Sequence, residues 1–409
     1  MRSRREIGVT GLGALSAAGV GKHALESLLV DGRPLLTEID RSEGLHAASS
    51  ARRACLVGQF DLREWIAPLV ARRMSPPSRY AVVATLSALA DAALECPVEP
   101  DDTTAVVMST AFGATSYTKR LLDQILGEGP QSASPAVFTE CVANAPSAQI
   151  AIRTRASGPN HTICGREAGA LLAVGRAATD ILHGRARRVL VGAVEEMVPV
   201  LHATLDRFGA LTRASQSQEE VARPFDVDRN GFIAGEGATV LVVESREEIE
   251  RRGGTASAWI LGWHRAFDAS APRGGWGHDS ELLARSLLGF LDRCGLAPQD
   301  IDAVVSGASG SIAGDRLEAR VLTRVWQDSE LPPVIAPKSV VGEYGGGFLG
   351  AAILLASGSR PGPTHGFSCP DPELGVVPHD GSPLPPLRRL LVSSLASGGT
   401  ASWLVVERA

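Results

Sequence analysis

The sequence predicts an α/β protein made of two similar halves, and three observations carry that reading. Strand-like apolar runs alternate with helical patterns along most of the 409 residues, as expected of sheets with helices on their faces. The runs are continuous in Val and Leu, for example AVVM (105–108), TVLVVE (239–244) and WLVVE (403–407), which suits strands covered on both sides. Finally, the chain echoes itself. GEGATVLVVE (235–244) resembles GGTASWLVVE (398–407), and DDTTAVVMSTAFG (101–113) resembles QDIDAVVSGASG (299–310). The order is the same in both halves, so a duplication is expected.

Taken along the chain, strands are expected at 7–10, 105–108, 188–192, 239–244, 303–307 and 403–407. Helices are expected at 80–94, 118–126, 168–183, 281–293, 317–326 and 348–356. Asp279 and Ser280 are N-cap candidates for the helix at 281–293. The opening MRSRREIGVTGLG has basic residues ahead of an apolar run, as in a secretory signal. Glycines break that run, and a strand entering a glycine turn reads better. The halves are expected at 1–250 and 251–409, with a junction near 251–254. The first half holds extra material, mainly within 114–165 and 195–234. The proline-rich stretch 361–386 reads as an ordered surface loop.

Composition narrows the function. Forty Lys and Arg against 45 Asp and Glu leave a formal charge of −5, which supplies no basic face for nucleic acid. Six cysteines, Cys55, Cys96, Cys141, Cys164, Cys294 and Cys369, lack any CxxC spacing and are expected to be reduced and buried. No segment approaches membrane-spanning length, and the cytoplasm is the expected location. GLGALSAAG (11–19) partly mimics a dinucleotide loop, but no acidic residue follows at the right distance. GEYGGG (342–347) lacks the lysine and hydroxyl of a phosphate loop, and no His, Asp or Glu cluster has metal spacing. No cofactor or metal is expected.

RPFDVDRNGFIAGEGATVLVVE (223–244) resembles the β-ketoacyl synthases of fatty-acid and polyketide assembly. GVTGLGALSAAG (8–19), GDRLEARVL (314–322), APKSVVGEYGGG (336–347), CPDPELGVVP (369–378) and SSLASGGTASWLVVE (393–407) follow in that family's order. The resemblance covers nearly the whole chain. It implies a thiolase-like fold, two similar halves in five α/β/α/β/α layers, working as a dimer.

Such an enzyme needs a thiolate made acidic by a helix N-terminus, two histidines to decarboxylate the malonyl group and hold the enolate oxygen, and a nearby lysine. Counting back from Gly175, which matches the glycine of the nucleophile helix, the nucleophile slot falls on Glu167. A carboxylate cannot become the acyl thioester. The slot of the first histidine falls on Ala271, in a shortened FDASAP loop (267–272). His264 lies seven residues too early, on an expected strand. The second histidine's slot is Glu343, while Lys338 is kept. EAGALLAVG (167–175) therefore resembles the chain length factors, ketosynthase-like subunits that lack the cysteine and pair with an active ketosynthase. Glu167 departs from them, because most carry glutamine there.

That resemblance implies two partners, an active ketosynthase subunit and an acyl carrier protein bearing malonyl and growing acyl chains. It also implies a dimer-interface insertion at about 111–165 that walls a chain-length tunnel, with Phe112, Tyr117, Val137 and Phe138 as candidates. Ser397 stands where active enzymes carry a gating phenylalanine.

Several alternatives stay open. Cys164 in TICG mimics the family's pre-helix cysteine, but lies three residues before Glu167, about 4.5 Å along a helix axis; as a bystander it would be a buried structural thiol. Glu167 could cap the helix or pair with Lys338. Glu167, Lys338 and Glu343 could also retain malonyl decarboxylase activity, or form a plain buried ion-pair site. The chain could instead bind acyl carrier protein without catalysis. His161 and His183 read as surface or capping groups.

Overall fold

Continuous apolar runs become strands, and the glycines and caps between them decide how closely helices approach. The computed structural model describes residues 6–41, 50–216 and 218–409; the basic residues Arg2, Arg4 and Arg5 of the signal-like opening lie outside them. Ten strands carry the fold: β1 (Ile7–Ser16), β2 (Thr104–Ser109), β3 (Asn160–Ile163), β4 (Arg188–Glu195), β5 (Gly237–Ser245), β6 (Ala258–Phe267), β7 (Ala303–Val305), β8 (Val334–Ile335), β9 (Arg389–Leu395) and β10 (Thr400–Arg408). They follow one path, β8-β7-β9-β10-β6-β1-β5-β4-β2-β3. β6 and β1 meet over only two residue pairs, Gly8 with Trp259 and Val9 with Ala258, so the path divides there into two five-stranded sheets.

The two sheets repeat each other. In the first, β1 and β4 flank β5 antiparallel, and β2 and β3 continue parallel to β4. In the second, β6 and β9 flank β10 antiparallel, and β7 and β8 continue parallel to β9. The echoed segments occupy equivalent places, β5 with β10 and β2 with β7.

Helices fill three layers around the sheets: α1 (Pro76–Asp91), α2 (Thr115–Glu128), α3 (Pro135–Cys141), α4 (Ala145–Thr154), α5 (Gly169–Leu182), α6 (Ser280–Arg293), α7 (Ile312–Val325) and α8 (Gly346–Ala356). α5 and α8 lie between the sheets, and α8 is buried along its whole length, as expected for a helix apolar on every side. α1 and α4 cover the outside of the first sheet, α6 and α7 that of the second. This is the five-layer thiolase-like arrangement.

Caps set several boundaries away from the expected ones. α1 begins four residues before Tyr80, because the Ser75 hydroxyl accepts from the Ser78 amide and Pro76 and Pro77 occupy the first turn. Ser311 likewise starts α7 five residues before Leu317. Asp279 caps α6 at Leu282, as expected. At the N-terminus the glycine turn is corrected: β1 runs straight through Gly11 and Gly13. A Cβ on Gly13 would sit 1.9 Å from the Ala84 carbonyl oxygen, and one on Gly11 2.3 Å from that of Ala88. These glycines let the backbone of α1 lie directly on the strand, a use of glycine that a turn reading misses.

The six cysteines are all free thiols. Burial holds for Cys55, whose thiol it pushes up to about 12. It fails for Cys164 and Cys369, which are exposed because both sit on connecting loops. The segment 361–386 has no helix and no long strand, and is anchored by buried Leu374, Val376 and His379. Among the described residues no helix is long and apolar enough to cross a membrane.

Candidate functional site: an acid at a helix mouth

α5 enters the middle layer through a 3-10 turn, Arg166–Ala168. Glu167 lies in that turn, half-buried at the helix mouth, where the exposed amides favour an anion by about 0.3–1 kcal/mol. Its carboxylate bonds to the loop between β9 and β10. Ser397 gives its amide to Oε2 at 3.2 Å and its hydroxyl to Oε1 at 3.0 Å. Arg166, in a left-handed conformation with φ 46°, donates to the Ser397 hydroxyl at 3.0 Å. Ser394 fastens the turn from below, donating to the Glu167 carbonyl at 2.7 Å. A backbone amide beside a helix mouth is the kind of donor that would steady an oxyanion. Here the Glu167 carboxylate already takes it.

Lys338 and Glu343 form the second part of the site. Lys338 starts the short helix Lys338–Val341, and its Nζ donates to Glu343 Oε2 at 2.7 Å. The side chains are 1% and 10% exposed, and Lys338 also lies 4.9 Å from the centre of the Phe348 ring. The backbone of Glu343 is held on both sides, its amide by the Ile233 carbonyl and its carbonyl by the Gly235 amide. Burial raises its pKa; Lys338 pulls it down, and the nearby Glu167 pushes it up again. The alternative that paired Glu167 with Lys338 is corrected: the lysine pairs with Glu343, and Glu167 turns instead to Ser397.

A third acid was missed at the sequence level. Glu318, on α7, is fully buried and accepts from the Ser306 hydroxyl at 2.8 Å. Burial pushes it up to about 7, opposed by its serine partners and by Lys338. Asp315, one turn earlier, is pushed by burial up to about 6 and receives the amides of Phe225, Ser309 and Gly310. The signal was present in GDRLEARVL, where two acids three apart share one face of a helix.

The remaining candidates separate. Ala271 lies on the loop after β6, which packs on the Ser397 loop through Asp268 N to Gly399 O and Gly398 N to Gly275 O. It stands near the site without an imidazole. His264 is on β6 as expected but faces the outer layer, where it bonds Ser286, receives Arg293 and stacks between Phe290 and Trp403. Cys164 is exposed, and no hydrogen bond among the described residues links it to an imidazole. His183 caps the end of α5 through Thr179, while His161 is half-buried against Arg176 and Asp180. Of the four tunnel candidates, Phe112 and Phe138 are 47% and 57% exposed. Tyr117 is half-buried with its hydroxyl on the Met74 carbonyl, and Val137 is buried within its own chain.

Sheet order, layers and the site at the mouth of α5 define a ketosynthase-like protein of thiolase fold. The chain belongs to the β-ketoacyl synthases: residues 4–248 match the family described as "Beta-ketoacyl synthase, N-terminal domain" and residues 257–356 match "Beta-ketoacyl synthase, C-terminal domain". It is 27% identical to "3-oxoacyl-(acyl-carrier-protein) synthase 2" of Staphylococcus aureus (strain COL), covering 100% of this chain and 99% of the relative. It is 30% identical to "Putative polyketide beta-ketoacyl synthase 2" of Streptomyces coelicolor, covering 99% and 95%. Among solved structures, "The ishigamide ketosynthase/chain length factor" superposes with a TM-score of 0.88 at 28% identity, covering 100% of both chains. A type II polyketide ketosynthase solved with its acyl-carrier protein shares the fold, with a TM-score of 0.87 at 22% identity over 99% of this chain and 100% of that one.

Proposed function

We propose that this chain is a chain-length-factor-type subunit. It pairs with an active ketosynthase and shapes the cavity in which that partner extends an acyl chain held on acyl carrier protein. One observation carries the reading: at the mouth of α5, where motif spacing assigns the nucleophile, the Glu167 carboxylate takes the Ser397 amide. The other reacting slots hold Ala271 and a Glu343 tied to Lys338. Among the described residues no thiol or imidazole bonds to Glu167, Lys338 or Glu343, which leaves acyl transfer and decarboxylation to a partner. The likeness to the ishigamide ketosynthase/chain length factor supports the same reading.

The region 111–165 would supply much of the interface and the tunnel wall. Phe112 and Phe138 are exposed and available to a partner, whereas Tyr117 is half-buried and Val137 is buried within its own chain. We set the two halves at 1–250 and 251–409, and read the small Ser397 at the gate position as suited to a pocket that no longer receives an acyl group. The test is reconstitution with malonyl- and acyl-loaded carrier protein. The chain alone should release no CO₂ and carry no acyl adduct by intact-protein mass spectrometry, whereas the chain with a co-expressed ketosynthase should elongate. A covalent acyl group on this chain, on Cys164 for instance, would refute the proposal.

A further inference from the structure

The carboxylate of Glu167 finds its partners far away in the sequence, and they form an ordered set of donors. The Ser397 amide gives to one carboxylate oxygen at 3.2 Å, and the Ser397 hydroxyl gives to the other at 3.0 Å. That hydroxyl oxygen accepts from Arg166 at 3.0 Å, and Arg166 also reaches the Ser397 carbonyl at 3.4 Å. A hydroxyl that accepts from a guanidinium is a better donor to a carboxylate. Arg166 has a φ of 46°, a left-handed conformation that is uncommon in a residue with a Cβ and that surrounding contacts must hold in place.

The charges along the path from solvent agree with this. Arg166 is exposed, Glu167 and Ser397 are half-buried, and the side chains of Glu343 and Lys338 are 10% and 1% exposed. Glu167 is near enough to Glu343 to push its pKa up. Two cations, Arg166 and Lys338, therefore balance two carboxylates. Without Glu167 one positive charge is left over, beside a free amide, a free hydroxyl and the mouth of α5, a set of donors that suits one carboxylate.

We infer that Arg166 and Ser397 form a carboxylate-binding site that the chain fills with its own Glu167, a built-in ligand that shuts out carboxylates from solution. Small carboxylates, with formate as the probe, are the class of ligand it takes once that side chain is removed. The inference goes beyond the pairing proposed above and does not depend on it. Glu167 is tethered beside the donors, so its effective concentration there exceeds that of a dilute free acid, and wild type keeps the site closed. Arg166 is a positioning residue, acting on the bound carboxylate through the Ser397 hydroxyl.

The test is chemical rescue of Glu167→Ala in the full chain. Thermal unfolding is followed in sodium formate, with sodium chloride at equal ionic strength as the reference. The midpoint of Glu167→Ala should rise saturably in formate but not in chloride, with half-saturation on the order of 10 mM, since so small a ligand binds weakly. Wild type should respond alike to the two salts. Adding Arg166→Ala to Glu167→Ala should weaken formate binding roughly tenfold, and Arg166→Lys, which keeps the charge, should lose less. Glu167→Ser empties the same space and serves if Glu167→Ala does not fold. Equal responses to formate and chloride in the emptied variant, an equal formate effect on wild type, or a formate affinity untouched by Arg166→Ala overturns the inference. Elongation by the chain with a co-expressed ketosynthase is measured separately and bears only on the proposed function.

Discussion

Replacing Lys338 by methionine should damage the protein in a way that depends on pH. The Lys338 ammonium lies 2.7 Å from Glu343 with both side chains almost fully buried. Methionine fills the space but leaves a buried carboxylate without its cation, a change that costs about 3–5 kcal/mol. Unfolding 409 residues at ~2.1 cal/mol/K each gives an entropy of about 0.9 kcal/mol/K, so the thermal midpoint should fall by about 4–6 °C. Glu343 is already raised above the ordinary glutamate range by burial, and losing the lysine raises it further. A carboxyl whose folded pKa is raised contributes stability that is present below its unfolded value and lost as pH rises through the folded value. The defect should therefore be larger at about pH 8 than at about pH 5.5. Adding Glu343→Leu to Lys338→Met removes the orphan charge and should recover most of the loss. The assay is thermal unfolding followed by circular dichroism at both pH values. An equal defect at the two, or no recovery in the double variant, would refute a buried, mutually dependent pair.

The other predictions concern different links of the argument. Glu167→Ala removes the contacts to Ser397 but no reacting group, so elongation by the reconstituted pair should stay within about threefold of wild type; a loss on the order of 100-fold would show that the acid takes part in chemistry. Phe138→Ala should shift the pair's products to longer chains by opening volume in the tunnel wall, read by mass spectrometry, and unchanged lengths would remove Phe138 from the wall. Gly13→Ala should destabilise by at least about 1–3 kcal/mol, since its Cβ would meet the Ala84 carbonyl at 1.9 Å; normal unfolding would contradict the close helix–strand contact. Burial raises Glu195 to about 8, so its share of stability is full below about pH 4.5 and is lost towards pH 8. Glu195→Gln should flatten that fall in denaturant titrations, and parallel pH profiles for the two proteins would count against it.

What the residues alone determined is mostly what one-dimensional pattern can encode. Val runs marked β2, β5, β7 and β10, because a strand covered on both faces has to be apolar at successive positions. The echo between β5 and β10 revealed the duplication that the strand orders repeat. Counting from Gly175 put Glu167 at the helix mouth, since motif spacing survives where side chains change. The tertiary structure decided matters of distance. Gly11 and Gly13 look like a turn until the carbonyls of α1 are found against them, because glycine serves bends and close approaches equally well. Glu167 was the candidate for Lys338; Glu343, five residues from the lysine in sequence, took it instead, while Ser397, 230 residues from Glu167 in sequence, claimed the other acid. Contacts between segments so far apart depend on how two sheets stack around α5 and α8, and no local pattern of residues carries that information.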